Sequence, residues 1–61
     1  MKILRLKEVI TVTGLARSTI YEHIALKQFP KPLPLGARAV GWLDSEISLW
    51  IEQRIAERDN T

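Results

Sequence analysis

The chain has 61 residues, no cysteine, a single histidine and a net charge of +2. One domain spanning residues 1–61 is the most such a length can hold, and a domain this short buries only ~60% of its unfolded surface, so a core leaves no space for a substrate pocket and an enzyme is not expected. Disulfides and thiolate metal sites are excluded, His23 alone cannot hold a metal, and neither a signal peptide nor a membrane-spanning run is read in the sequence; the expectation is a cytoplasmic, nucleoid-associated protein without metal or cofactor.

Charge is unevenly distributed. Residues 1–43 carry seven basic side chains (Lys2, Arg5, Lys7, Arg17, Lys27, Lys31, Arg38) against two acidic ones, Glu8 and Glu22. Residues 44–61 carry Arg54 and Arg58 against five acidic groups. A basic body with an acidic last helix predicts a protein oriented toward an anionic partner; an ordinary solvated surface is the plainer alternative.

The first predicted element is a helix over Leu6–Thr13. Leu6, Val9 and Ile10 share one face, and Gly14 ends the run. Its β-branched residues and the weak cap at Arg5 make it dependent on packing. After a short gap around Gly14, a second helix is predicted from Arg17 to Lys27, with Ile20 and Ile24 facing inward and Leu15 beneath them. Ala16 occupies its cap position, with Ser18 as an alternative cap. Two helices joined by about three residues around a glycine form a helix-turn-helix.

Pro30, Pro32 and Pro34 forbid helix, so Lys31–Leu35 is predicted as an extended edge strand, Gly36-Ala37-Arg38 as a turn and Ala39–Trp42 as the returning strand. A third helix then starts at a cap on Asp44 or Ser45. Ile47, Trp50, Ile51 and Ile55 give it a buried stripe. Trp50 is assigned to the core, Trp42 to the underside of the hairpin, and Phe29 to the end of the second helix. The predicted fold is mostly α: a winged helix-turn-helix of three helices, with a two-stranded β-hairpin wing between the second and third.

With Ile20 and Ile24 inward, Ser18 and Glu22 point outward, flanked by Thr19 and Tyr21. A small, polar helix start is what a major-groove reading helix needs. Arg17, Ser18, Thr19 and Tyr21 can reach phosphates or base edges, and Glu22 can accept from cytosine N4 while repelling phosphate. Lys27 at the helix end, Lys31 at the wing's opening and Arg38 at its tip form a second cationic group, suited to flanking phosphates or a minor groove. Leu49 lies opposite the buried stripe, either as an isolated exposed leucine or as a contact between protomers on DNA. His23 has no partner of its own kind and is assigned to a flank. No catalytic triad, paired carboxylates, phosphate loop or metal spacing is present.

Leu4-Arg-Leu-Lys-Glu-Val9, Thr13-Gly-Leu-Ala-Arg-Ser-Thr-Ile-Tyr21, Phe29-Pro-Lys-Pro32, Ala39-Val-Gly-Trp-Leu43 and the segment Ile47 to Trp50 together resemble the AlpA family of prophage regulators, from about Ile3 to Arg58. The resemblance implies a winged helix-turn-helix related to phage excisionases and to MerR-type DNA-binding domains. It also implies a role in mobile elements, either activating an integrase gene or directing excision. Arg17, Ser18, Thr19 and Tyr21 match the start of that family's recognition helix, and Arg38 matches its basic wing position. Two residues depart from the pattern: Ala16 replaces a capping serine, and Glu22 stands where a basic residue is frequent. The expected partner is double-stranded DNA, with further copies on adjacent sites, an integrase or RNA polymerase alongside. The alternative is a protein-interaction adaptor that works through its acidic third helix.

Overall fold

The computed structural model describes residues 2–60. In chain order the elements are β1 (Ile3–Arg5), α1 (Leu6–Thr13), α2 (Arg17–Ala25), β2 (Leu33–Pro34), β3 (Val40–Leu43) and α3 (Asp44–Asp59). The three helices and the β2–β3 wing follow the sequence expectation. β1 was not anticipated: it pairs antiparallel with β3, giving the sheet order β1-β3-β2.

The bounds of α1 are those that its periodicity and Gly14 predict. Gly14 takes a left-handed conformation (φ 73°) and donates its N–H to the Ile10 carbonyl at 2.8 Å, which only a residue without Cβ does cheaply. Thr11 and Thr13, poor helix formers, turn their hydroxyls back onto the Lys7 and Val9 carbonyls at 3.0 and 2.7 Å. At the other end the Glu8 carboxylate accepts the Arg5 N–H at 3.1 Å, the half of a capping box that an arginine cap position still allows.

α2 stops two residues earlier than predicted. Lys27 adopts φ 59° and donates its N–H to the Ile24 carbonyl at 3.0 Å, while the Gln28 N–H reaches the His23 carbonyl at 2.8 Å. Those two bonds are a Schellman closure, with a lysine where glycine is usual. The predicted edge strand over Lys31–Leu35 contracts to Leu33–Pro34, and the returning strand shifts by one residue to Val40–Leu43. Leu35 donates to the Ala39 carbonyl at 2.8 Å. Ladder bonds alternate from there, so Pro34 opposite Val40 falls on a pair that exchanges none, and its missing N–H costs nothing. α3 starts at Asp44 with Leu43 in the cap position, so neither Asp44 nor Ser45 caps it through a side chain.

The core is Leu4, Val9, Ile20, Phe29, Trp42 and Ile47, one or more residues from nearly every element. Trp42, from β3, is its largest member and is fully buried, with its indole N–H on the Pro30 carbonyl at 2.9 Å. Trp50 is only half-buried. Its ring meets Phe29 edge-on at 4.9 Å and its N–H donates to the Gln28 carbonyl at 2.8 Å. The predicted stripe on α3 therefore fades along the helix: Ile47 is buried, Trp50 and Ile51 half-buried, and Ile55 is exposed (44%). A sixteen-residue helix outruns so small a body, and the molecule measures 42 × 25 × 19 Å. On the opposite face of the sheet Gly41 is packed so closely that a Cβ there would lie 2.6 Å from Ile3 Cγ2 and 2.9 Å from Leu35 Cδ1.

Candidate nucleic-acid interface

α2 is anchored by Ile20, fully buried, and by half-buried Ile24. That anchoring turns Arg17, Ser18, Tyr21 and Glu22 to solvent, as the sequence predicts; Thr19 is half-buried at the flank. The Arg17 guanidinium carbon lies 5.9 Å from the centroid of the Tyr21 ring. This cation–π contact along one helical turn holds both side chains over the helix start. Ser18, Thr19 and Glu22 make no side-chain hydrogen bond or ion pair among the described residues.

Ala16 gives α2 no side-chain cap. The first N–H groups of the helix are thus left to water on an exposed end, where the helix dipole favours an anion. A serine at that position would occupy one of those donors itself.

The second predicted group is exposed throughout but is not brought into contact with itself. Arg38 sits in the 36–38 turn at the tip of the wing, and Lys31 precedes β2. Lys27 lies in the left-handed turn after α2. There it flanks a groove of about 580 Å³ between the 27–30 segment and α3, lined also by Phe29, Glu46, Leu49, Trp50 and Gln53. Leu49 is 55% exposed, as its position opposite Ile47 and Ile51 on the helix predicts, and it borders this groove. His23 is half-buried on the flank of α2, and its Nδ1 has no hydrogen-bond partner among the described residues. No helix among them is long and apolar enough to cross a membrane.

Sequence reasoning passed over Arg5. It is exposed, immediately precedes α1 and donates from Nε to the Val40 carbonyl at 3.2 Å, joining the start of the helix-turn-helix to the base of the wing. Its only local signal is an arginine in a helix cap position.

The model of the family "Prophage CP4-57 regulatory protein (AlpA)" matches residues 2–55, which takes in both helices of the helix-turn-helix, the wing and most of α3. The chain belongs to the AlpA family. One similar protein is the DNA-binding transcriptional activator AlpA of Escherichia coli strain K12, 45% identical over 60 residues, covering 88% of this chain and 86% of that protein. Another is the uncharacterized protein ORF88 of Enterobacteria phage P4, 47% identical over 57 residues. That alignment covers 93% of this chain, which spans 65% of the phage protein. Within the AlpA family match lie all the predicted contact residues, Arg17 to Arg38, together with Arg5.

Proposed function

We propose that this chain is a sequence-specific duplex-DNA-binding regulator of a prophage or other mobile element, acting on transcription, on excision through DNA architecture, or on both. One observation carries the reading: the start of α2 is exposed, uncapped and polar, with Arg17 and Tyr21 held together over it. The name of the Escherichia coli relative supports the same partner. α2 enters the major groove with Arg17, Ser18 and Thr19 leading. Tyr21 reaches a phosphate through its hydroxyl. Glu22 faces the bases from the middle of the exposed side. Lys27 and Lys31 meet backbone phosphates, and Arg38 carries the wing tip to a phosphate or a narrow minor groove.

One short helix and one small wing give a single protomer little contact area, so useful affinity needs neighbouring copies on adjacent sites, an integrase or RNA polymerase. The reading calls for no catalytic step and no cofactor. It is tested by selecting bound duplexes from a random library and measuring affinity for the selected and a scrambled sequence. Enrichment of a motif with tighter binding to it is the expected result, and equal binding to both removes the sequence-specific part.

A second reading has one observation in its favour. The groove beside α3 presents exposed Leu49 along with Lys27 and Glu46, a surface that suits a protein partner. Under it the chain is an interaction adaptor, and binding to duplex DNA is absent at every salt concentration.

A further inference from the structure

We propose that Arg5 is a DNA-backbone contact: an arginine fork held in position by the wing, gripping a phosphate where α1 and the wing meet. The inference rests on the duplex-binding reading above and adds to it a site outside α2 and the wing tip.

The geometry begins with the ladder. Asp44 donates to the Lys2 carbonyl at 2.8 Å, and the register pairs Leu4 with Trp42 and Arg5 with Gly41. Alternation makes Leu4–Trp42 a bonded pair, and the next bonded pair would join residue 6 to Val40. There Leu6 turns into α1 and the ladder ends, and the Val40 carbonyl accepts from Arg5 Nε at 3.2 Å. A guanidinium has five N–H donors in a rigid plane, so fixing Nε still leaves the four on the terminal nitrogens. The side chain is exposed, and those four have no partner among the described residues.

Among the described residues the guanidinium makes no ion pair. The nearest acid in sequence, Glu8, turns Oε1 to the Arg5 backbone N–H, and the pairs Arg54–Glu57 and Arg58–Asp59 lie on α3. The place suits a phosphate. The first helix of a helix-turn-helix crosses the DNA backbone, and Arg5 is the residue from which that helix springs. Val40, to which it is tied, is two residues beyond Arg38 at the wing tip. A lysine would supply the charge but not a planar fork braced on one edge.

The test compares Arg5→Gln, Arg5→Lys and the parent for affinity to one selected and one random duplex between 50 and 200 mM salt, with melting curves of each. Loss of one phosphate contact lowers the slope of log K against log salt by roughly one. Arg5→Gln should therefore bind both duplexes more weakly, and the parent's affinity should fall roughly 3–4-fold further than the variant's across that range. Arg5→Lys should keep the parental slope with weaker binding at each salt. An Arg5→Gln variant that keeps the parental slope, whatever its melting temperature, means that Arg5 only ties the wing to α1, and the inference falls. If Arg5→Gln does not fold, Arg5→Lys decides, and parental affinity there overturns the fork. A parent that binds no duplex overturns the DNA-binding reading itself, and this inference with it.

Discussion

At the scale of single residues, Arg38 and Glu22 separate two kinds of contact. Arg38 is exposed at the wing tip and unpaired among the described residues. Arg38→Ala should weaken selected and random DNA alike and flatten the salt slope by about one unit. Glu22, in the middle of the exposed side of α2, is a repulsive neighbour for phosphate. Glu22→Gln should tighten binding to every sequence. If Glu22 instead accepts from cytosine N4, the substitution shifts preference at one base position by ~1–3 kcal/mol, and affinity measurements on a set of single-base variants tell the two apart. Lys27 poses a different question, because it holds φ 59° at a helix end. A left-handed conformation costs an ordinary L-residue roughly 1 kcal/mol, and glycine is relieved of most of it. Lys27→Gly should leave stability unchanged or raise it by up to about 1 kcal/mol, while DNA affinity falls. Calorimetry beside a binding titration checks both halves. A more stable variant with parental affinity means that Lys27 is not a phosphate contact.

At the scale of elements, the two tryptophans differ in what they hold. Trp42 is fully buried at the centre of the sheet, so Trp42→Ala should cost ~3–5 kcal/mol. That is the whole of what a core this small supplies, about 3–5 kcal/mol, and the variant should be unfolded by circular dichroism. Trp50→Ala loses the edge contact with Phe29 and one hydrogen bond from a half-buried ring. It should cost roughly 1–3 kcal/mol and leave a folded protein with a lowered melting temperature. The sequence placed Trp50 in the core because helical periodicity reports the side of a helix, not where the body beneath it ends; Ile55 is misplaced for the same reason. Local signals were read well: α1 is bounded by its apolar spacing and Gly14, and the wing falls within one residue of the predicted return strand, at Val40–Leu43. The outward side of α2 followed from Ile20 and Ile24 in the same way. β1 was not legible, since three residues without turn signals become a strand only through a partner at residues 41–43. The tie from Arg5 to Val40, thirty-five residues apart, escaped for the same cause. The end of α2 was missed because lysine is no stop signal.

At the scale of the whole molecule, seven of the nine basic residues precede α3 and five of the seven acidic ones lie on it. An oriented charge distribution of this kind steers one side toward a polyanion and turns the other away from it. With about four phosphates engaged per protomer, log K for duplex DNA should fall against log salt with a slope near −4. Affinity that is level from 50 to 200 mM salt would instead favour the groove beside α3 as the working surface. The sheet order carries a further consequence, for the sequence of events in folding. The β2–β3 hairpin closes a short loop and can form within about 1–10 μs. Pairing Leu4 with Trp42 must bring together residues roughly forty apart, at a larger entropic cost and a slower rate. Both helices of the helix-turn-helix lie inside that larger loop. A peptide cut after α2 would therefore keep the exposed side of α2 but lose β3, which closes the frame around it, together with Lys27, Lys31 and Arg38.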